Sequence, residues 1–506
     1  MRLQELYIKD YKVLQDFTLR FDEATSVAVL IGENGSGKTT VVECLTLIFT
    51  GLYRQRTVAD LYKAAFPFAF RLSYVLSTGP QVGFGYEQEN RESIQYTYNG
   101  SLAVQFTYDE GVSVLVRADD GRTHETSDQL STFLQDEGYT VRPVQYLLPA
   151  NVVLYYSGIS TVLESLTDAY QQAMIMGTLD GELQTNPDLF YFKPANFPAL
   201  LVGLLCFQYG NVPERLATDF QLDPTQPFER VTIQIKKPTW AKKSSNAQGF
   251  WGAAGDLRNF LKVLRDRTEA TFEENAITFT IQNQAQLYEV WSFYGQEKRL
   301  FEYLVTLQAN GLIERIDVDL RKSGGLIVPH DRLSEGEKQL LIIMALQELL
   351  ATGENTLFLL DEPDTYLHPE WKRNFIARFL PDDPNVSLFL AYYLITTHSP
   401  GIVSGMRKNQ LHILRKESRR SVLKTFAFDP YGKPEDDILF DFFGITGLRY
   451  KPVEDKLNEL GRLINEDQYE SDDFLSRFAE LEQMLGKDDL GLTRLKLEIA
   501  RRKRAA

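Results

Sequence analysis

The residues with the clearest chemical meaning form a short loop near the start of the chain. The loop reads GENGSGKTT from Gly32 to Thr40 and contains the complete G-x-x-x-x-G-K-[ST] pattern. It lies between an apolar run, 27–31, and a second apolar run, 41–49, that has helical character. Glycines let successive backbone N–H groups point inward, and the following helix presents its positive end. Such a loop is expected to bind the phosphates of a nucleoside triphosphate together with Mg²⁺.

The residues of this phosphate loop, Gly32 to Thr40, have different predicted roles. Lys38 is expected to contact the β- and γ-phosphates, and the hydroxyl of Thr39 is expected to reach Mg²⁺. The predicted cofactor-binding residues are Gly32, Asn34, Gly35, Ser36, Gly37, Lys38, Thr39 and Thr40. ATP and Mg²⁺ are therefore the predicted ligands.

Three further motifs occur in the second half of the chain. They read LSEGEKQ from Leu333, LFLLDEPD from Leu357 and ITTHSP from Ile395. Together with the phosphate loop, this ordered set resembles the ATP-binding cassette (ABC) family. More narrowly, it is similar to the soluble branch that includes the SMC, RecF and OLD-type ATPases. The resemblance covers about the first 50 residues and the segment 330–415.

The resemblance implies a role for each acidic or imidazole side chain of these motifs. Asp361 would hold the Mg²⁺ shell, and Glu362 would orient and polarise the attacking water as general base. His398 would sense the γ-phosphate. Asp364 would belong to the loop through which the two active sites of a dimer communicate.

The segment Leu333–Gln339, here called the signature segment, has a different implied role. In the ABC family it contacts the γ-phosphate of the nucleotide bound to the other protomer, which assigns this role to Ser334 and Gly336. A lone chain should therefore hydrolyse ATP poorly, and a homodimer or higher oligomer with ATP between its heads is expected. Ser334 and Glu337 also form a Ser-x-x-Glu capping box, and both interpretations can hold together.

Composition sets the outer bounds on structure and location. With 506 residues and 43% hydrophobic content, the chain is long enough for two or more domains. Its two cysteines, Cys44 and Cys206, offer neither a disulfide framework nor a metal cluster, which suits a reducing cytosol. No secretory pattern or membrane-spanning run is visible, so a cytoplasmic protein without a membrane partner is expected. The net charge of −15 limits any DNA or RNA contact to a local surface.

The resemblance, together with the pattern of helices and strands along the chain, implies an α/β fold in four parts. Residues 1–160 form the N-terminal half of an ABC-type head, in which strands within 71–116 make an antiparallel β wing. Residues 161–325 form a mainly helical insert that lacks the long heptad repeat of an extended coiled coil. Residues 326–430 complete the head, and 431–506 form a helical tail for a partner or oligomer contact. The glutamine that links Mg²⁺ to the variable part of ABC heads cannot be placed.

Two segments leave alternatives open. Lys12 lies where soluble ABC heads carry a basic residue near the nucleotide, but a solvated turn lysine explains it equally well. Basic residues within 236–243 are interleaved with Trp240 and followed by Phe250 and Trp251. This segment is either a flexible solvated loop or a surface that grips a nucleic-acid backbone and stacks on bases.

The whole arrangement resembles the ATPase subunits of bacterial anti-phage defence systems, most closely the Septu ATPase (PtuA) and restriction-associated ATPases. No nuclease site is evident, because the acids at Glu435, Asp436 and Asp437 lack the spacing of a Toprim site and no HNH site is visible. The expected function is an ATPase that senses infection and regulates a separate nuclease of the HNH or Toprim type. The alternatives are a RecF-like DNA-repair ATPase that acts on DNA ends or gaps, and a scaffold that binds ATP as a clamp.

Overall fold

The structure is a computed structural model, and it describes residues 1–78, 100–138, 142–158, 161–168, 170, 188–241, 245–351, 355–379, 391–445 and 449–505. The chain divides into two compact units, Met1–Lys433 and Pro434–Ala506. The fold is α/β, as predicted. Residues 161–325 belong to the first compact unit, and the further division of that unit into three parts stays a prediction.

The strands are numbered β1 to β18 and the α-helices α1 to α16 in chain order. The strands are Arg2–Tyr11, Leu14–Arg20, Val27–Gly32, Phe70–Ser77, Ser101–Tyr108, Val112–Ala118, Thr123–His124, Asn151–Tyr156, Leu189–Tyr191, Phe228–Lys236, Glu269–Phe272, Ala276–Ile281, Ile313–Arg321, Ile327–Pro329, Thr356–Asp361, Ala391–Thr396, Leu411–Glu417 and Arg420–Lys424. The helices are Lys38–Tyr53, Val58–Leu61, Ser127–Asp136, Phe197–Leu205, Asn211–Asp219, Gly255–Arg267, Gln284–Trp291, Glu297–Ala309, Glu335–Leu350, Pro369–Arg373, Phe375–Phe379, Pro400–Val403, Glu435–Asp441, Lys451–Asn465, Asp472–Leu485 and Leu490–Ala505.

The sheet that carries the motifs has the order β18-β17-β3-β16-β15-β8-β9. All of its neighbouring strands are parallel except β18, which is antiparallel to β17. Strands β3, β15 and β16 are buried along their whole length, because their continuous apolar runs suit strands that are covered on both faces. Asp361 pairs in register with Thr396, and Thr396 with Leu30. The carboxyl ends of these three strands therefore meet at one edge of the sheet.

The predicted β wing is present as an antiparallel sheet with the order β2-β1-β4-β5-β6-β7. Strand β5 alternates between buried and partly exposed residues, as expected for a sheet with one covered face. A further strand that the sequence pattern places at 93–98 lies outside the described residues. The buried faces of the wing, of β3 and of α1 share one hydrophobic core.

The prediction of a mainly helical insert is incomplete. Besides its helices, the segment contributes four strands to an antiparallel sheet with the order β11-β12-β10-β13-β14. The sequence interpretation overlooked this sheet, although Phe228–Lys236 and Ile313–Arg321 place apolar residues at alternate positions along much of their length. The apolar run Phe197–Leu205 is a buried helix, α4, as its hydrophobicity indicates.

Helix α4 packs against α8 and against α9, the helix that begins in the signature segment. The close approach requires a glycine, because a Cβ at Gly203 would lie 2.9 Å from Leu349 Cδ1 and 3.0 Å from Phe301 Cβ. The insert is thereby fixed to the helix that carries Gly336 and begins after Ser334.

The second compact unit is helical, as the apolar stripes predict. Its own hydrophobic core is formed by Leu460, Leu463, Ile464, Phe474, Leu481 and Leu492. Leu475 and Met484 of α15 lie outside this core and are 54% and 55% exposed. No helix in the described part of the chain has the length and apolar character needed to cross a membrane.

Candidate nucleotide-binding site

The phosphate loop connects the end of β3 to the start of α1. Gly37 precedes the first helical residue and has a left-handed backbone with φ of 103°. A side chain at this position would be strained, and its Cβ would lie 2.6 Å from Ser421 Oγ. The motif glycine is therefore required by both the backbone conformation and the close packing.

Lys38 is buried at the base of the loop, with only 5% of the residue exposed. Its Nζ donates hydrogen bonds to the carbonyl oxygens of Gly32 at 3.0 Å and Glu33 at 3.3 Å. Burial lowers the pKa of Lys38, while the carboxylates of Glu362 and Asp361 act in the opposite direction. The ammonium group thus lies inside the loop, within the electrostatic influence of both acids.

Asp361 ends β15 and is fully buried. Its Oδ1 accepts a hydrogen bond from the Thr396 hydroxyl, and the side chain of Thr39 also hydrogen-bonds to this carboxylate. Within the described residues, Oδ2 has no hydrogen-bond partner, and burial raises the pKa of Asp361. A buried carboxylate oxygen beside a hydroxyl is a suitable ligand pair for a hard cation.

The residues present fit a Mg²⁺ ion that is shared with a bound nucleotide. Mg²⁺ is commonly held by one or two protein ligands together with substrate phosphates, and the Thr39 hydroxyl and the Asp361 carboxylate would be such ligands. No group of three or more His, Cys, Asp or Glu residues in the described part of the chain could hold a metal by itself. The ion would therefore need the phosphate oxygens.

Glu362 is held in an unusual backbone conformation next to Asp361. Its φ is 54°, which is rare for a residue with a side chain. The Glu362 N–H donates to both the carbonyl oxygen and the hydroxyl oxygen of Thr396, each at 3.1 Å. Thr396 therefore orients both acidic residues. It holds Asp361 through the carboxylate and Glu362 through the backbone N–H.

His398 lies close enough to Glu362 to influence its charge. His398 Nε2 is 3.3 Å from Glu362 Oε1. The hydrogen bond from His398 lowers the pKa of Glu362, with a further contribution from the charge of Lys38. The Glu362 side chain is 36% exposed, so it remains accessible to water. An ionised, water-accessible carboxylate is the form that a general base requires.

The His398 contact predicts a change in the pH dependence of turnover. His398→Ala removes the largest influence that lowers the pKa of Glu362, so this pKa should rise toward its ordinary value. The acidic limb of the kcat profile should consequently move to higher pH, because Glu362 becomes protonated earlier as pH falls. Steady-state phosphate release between about pH 4 and pH 8 measures this limb. An unchanged acidic limb together with a reduced kcat would show that His398 acts only through contact with the γ-phosphate, and not through the pKa of Glu362.

The signature residues lie at the start of α9. Ser334 is exposed and caps the helix, since its hydroxyl accepts a hydrogen bond from the Glu337 N–H at 3.3 Å. The Glu337 carboxylate accepts in return from the Ser334 N–H at 3.0 Å, so the predicted capping box is present. Among the described residues, no hydrogen bond joins Ser334 or Gly336 to the phosphate loop.

Asp364 is buried and its carboxylate is used inside the chain. It accepts a hydrogen bond from the Thr397 hydroxyl at 2.9 Å and lies 3.7 Å from Lys372 Nζ. Burial raises the pKa of Asp364, with Lys372 acting against this effect. Asp364 therefore connects the loop after Glu362 to the residue before His398.

Two polar residues at the site were missed in the sequence interpretation. Thr396 is the one polar residue at the end of β16, and its role depends on the neighbouring strand. Gln339 is buried in α9, where its Nε2 donates to Tyr155 Oη at 3.2 Å and its Oε1 accepts from the Tyr366 N–H at 2.9 Å. The sequence does contain one indication of this role, because Gln339 is a polar residue that directly precedes an apolar helical run.

The structure also bears on the residues with open alternatives. Lys12 Nζ forms an ion pair with Glu43 Oε2 of α1 at 2.5 Å, so the charge of Lys12 is paired within the chain. Phe250 and Trp251 are buried and cannot stack on bases, whereas Trp240 is 43% exposed.

Comparison with known protein families agrees with this site. A family model described as "AAA domain, putative AbiEii toxin, Type IV TA system" matches residues 240–404. The AAA ATPase domain model matches residues 1–121, which include the phosphate loop. These two matched segments contain the phosphate loop and Asp361, Glu362 and His398, so the chain is similar to AAA-type ATPase domains over both segments that carry the site.

The chain is also similar to two retron ATPases. It is 27% identical over 264 residues to the Retron Ec83 probable ATPase of Escherichia coli, covering 49% of this chain and 43% of that protein. It is 28% identical over 134 residues to the Retron Vc95 probable ATPase of Vibrio cholerae serotype O1 biovar El Tor, covering 24% of this chain and 25% of that protein. The similarity therefore spans less than half the length of each relative.

Solved SMC heads are distant structural neighbours. An SMC head bound to the C-terminal winged-helix domain of ScpA has a TM-score of 0.34 at 13% identity, covering 84% of this chain and 98% of that one. The SMC head domain from Thermotoga maritima has a TM-score of 0.28 at 12% identity, covering 85% of this chain and 100% of that one. Values this low assign no function.

Proposed function

We propose that this protein binds and hydrolyses ATP at composite sites between two heads, as the ATPase subunit of an anti-phage defence complex. The observation that carries the proposal is the hydrogen-bonded set at one sheet edge, in which Thr396 orients Asp361 and Glu362 while His398 contacts Glu362. This set lies beside the phosphate loop, because β15 and β16 end next to β3.

The chemistry follows from the placement of these side chains. Glu362 accepts a proton from a water molecule while the oxygen of that water attacks the γ-phosphorus. The bond from the γ-phosphorus to the β–γ bridging oxygen then breaks. The products are ADP and phosphate. Lys38 supplies positive charge for the β- and γ-phosphates. Mg²⁺, held by Thr39 and Asp361, would neutralise the developing negative charge when it is bound.

A second head is proposed to complete each site. Ser334 is exposed at the positive end of α9, where a helix favours contact with an anion. Because no described hydrogen bond ties Ser334 or Gly336 to the phosphate loop of the same chain, both remain available to a nucleotide on a partner. Two-fold symmetry would then form two equivalent composite sites.

The biological role is proposed from the retron relatives and from the sequence resemblance to defence ATPases. The protein would sense infection and, through ATP-dependent association of its heads, hold or release a separate nuclease subunit. A cut in DNA or RNA would then come from that partner. A RecF-like repair role would instead be indicated if the ATP-bound dimer bound DNA ends and no nuclease.

Mixing two inactive variants tests the composite site. Lys38→Ala removes the phosphate contact on one side, and Ser334→Asp keeps a good helix cap but places a negative charge toward the partner's nucleotide. Each variant alone should be inactive. In an equimolar mixture each mixed dimer carries one intact site of two, so turnover should recover to about a quarter of the wild-type value if the chains pair at random, and to about half if only mixed dimers form.

Phosphate release measured at several mixing ratios gives the result. The recovery should peak at the equimolar ratio and fall on either side. If the mixture is as inactive as its components, while both variants have the circular dichroism spectrum of the wild type, the composite site is wrong. Full activity of Ser334→Asp alone would also contradict it.

A further inference from the structure

The hairpin formed by β17 and β18 lies directly against the phosphate loop. Strand β17 is the parallel neighbour of β3, and Leu414 pairs in register with Gly32. Arg415 Nη1 lies 2.5 Å from Glu33 Oε1, so the first variable residue of the loop is paired with this strand. The hairpin is thus part of the support of the nucleotide site, although it is distant in sequence.

Ser421 provides the second connection between the hairpin and the loop. Its hydroxyl donates a hydrogen bond to the carbonyl oxygen of Ser36, and its N–H donates to the carbonyl oxygen of Val13 at 2.7 Å. Ser421 is 3% exposed, and its Oγ fills the space beside Gly37. Displacement of Ser421 would therefore move the backbone that surrounds the phosphates.

The turn of the same hairpin is exposed and basic. Lys416, Arg419 and Arg420 are all exposed, and Arg420 immediately precedes Ser421. The nearby carboxylate of Glu417 is paired with Lys424 at 2.6 Å. Among the described residues, no carboxylate forms an ion pair with Lys416 or Arg419. The turn therefore presents positive charge that the described part of the chain does not neutralise.

The basic character continues around the hairpin and contrasts with the rest of the protein. The segment 405–433 contains eight Lys and Arg residues but two Asp and Glu residues, in a chain of net charge −15. At the other end of β17, Arg407 stacks on Tyr431 at 3.7 Å from the ring centroid, and Lys433 stacks on Phe428 at 4.3 Å. Both rings are about half exposed.

We propose that the turn of the β17–β18 hairpin binds the phosphate backbone of a nucleic acid, and that Ser421 transmits this binding to the phosphate loop. The seven residues of β17 extend about 20 Å, and they separate the turn from Arg407, which stacks on Tyr431, by a length of strand that several successive nucleotides can span. Half-exposed aromatic rings beside cations suit bases, whereas an acidic peptide would use the cations alone. The inference rests on the proposed ATPase function. It adds a nucleic acid as a second ligand and regulation of the nucleotide site by that ligand.

Binding is tested by fluorescence anisotropy with labelled single-stranded DNA, the matching RNA, duplex DNA and a polyglutamate peptide. The double variant Arg419→Glu, Arg420→Glu should bind nucleic acid about tenfold more weakly or worse, because phosphate contacts dominate such affinity. The matched control is Arg258→Glu, Lys262→Glu, which reverses two exposed charges on α6 and should bind like the wild type. The three turn cations predict a log–log salt slope of about −2 for single strands.

Transmission is tested by the KM for ATP with and without saturating single-stranded DNA. The wild type should show a changed KM, and the double turn variant should show the wild-type basal KM without the change. Ser421→Ala should raise the basal KM about threefold through the lost hydrogen bond, bind DNA normally and lose the response. Ser421→Thr, which keeps the hydroxyl, should restore the response.

Three results would overturn the inference. Equal DNA binding by the double turn variant and the wild type would exclude the turn as the site, and tighter binding of polyglutamate would assign it to an acidic protein. A response that persists in Ser421→Ala would reject the route through this residue. Absence of ATP turnover in the wild type would instead reject the proposed function, while the anisotropy comparison would still report on the turn.

Discussion

Glu362→Gln is expected to lower kcat for ATP hydrolysis by about 1,000-fold, which lies within the usual contribution of a general base. The amide has nearly the same size as the carboxylate but cannot accept the proton of the attacking water. The backbone N–H of residue 362 should keep its two contacts to Thr396. ATP affinity should therefore remain close to that of the wild type.

The ATP-bound dimer should consequently accumulate in the Glu362→Gln variant. Light scattering coupled to size-exclusion chromatography, with and without ATP and Mg²⁺, measures its mass. The control is Glu370→Gln, which removes a carboxylate from the exposed start of α10 and should behave like the wild type. A variant that neither dimerises nor hydrolyses ATP would show that Glu362 is needed for binding, against the assignment of a purely chemical role.

Lys38→Ala is expected to weaken ATP binding by about 100-fold or more, because a charged donor contributes about 1.5–3 kcal/mol per hydrogen bond and Lys38 can make two. Removal of the ammonium also leaves the phosphates without the one cation described inside the loop. Titration with a fluorescent ATP analogue measures the affinity. The variant should form no dimer at any ATP concentration that saturates the wild type.

Thermal unfolding separates lost binding from lost folding in Lys38→Ala. Burial of the charged Lys38 side chain, which lowers its pKa, opposes folding at neutral pH, while its hydrogen bonds to the carbonyl oxygens of Gly32 and Glu33 favour it, so its removal should change Tm without ATP by only about a few degrees. With ATP, the wild type should gain stability according to its affinity, and the variant should not. The control Lys63→Ala, at an exposed lysine, should respond to ATP normally. A large fall in Tm without ATP would assign Lys38 a structural role.

The sequence was sufficient to predict that the phosphate loop and Asp361 each lie at the end of a buried strand. Continuous apolar runs before Gly32 and Asp361 predict buried strands, and the motifs at their ends predict which side chains meet. The capping box at Ser334 was also visible, because its two partners are three residues apart. These features depend on local spacing, which one sequence displays directly.

The features that escaped sequence interpretation depend on pairing between distant segments. Thr396 acquires its role because its strand lies in register beside Asp361, and Ser421 acquires its role because β17 lies beside β3. The sheet of the insert was overlooked because its central strand, β10, pairs with β12 and β13, which follow in the chain only after intervening helices. Apolar and polar residues do alternate in Phe228–Lys236, but the neighbouring sequence does not indicate which strands pair with it.

The contact between α4 and α9 limits how this protein can be divided into exchangeable modules. An insert that interrupts a head in sequence is an attractive unit for grafting between related ATPases. Here Gly203 fits closely against Leu349 and Phe301, and Leu349 belongs to the helix that starts in the signature segment. A transplanted insert would have to bring its complementary surface on that helix. Substitutions in the insert are therefore constrained by α9, and substitutions in α9 by the insert. Chimeric proteins should exchange the insert and α9 together.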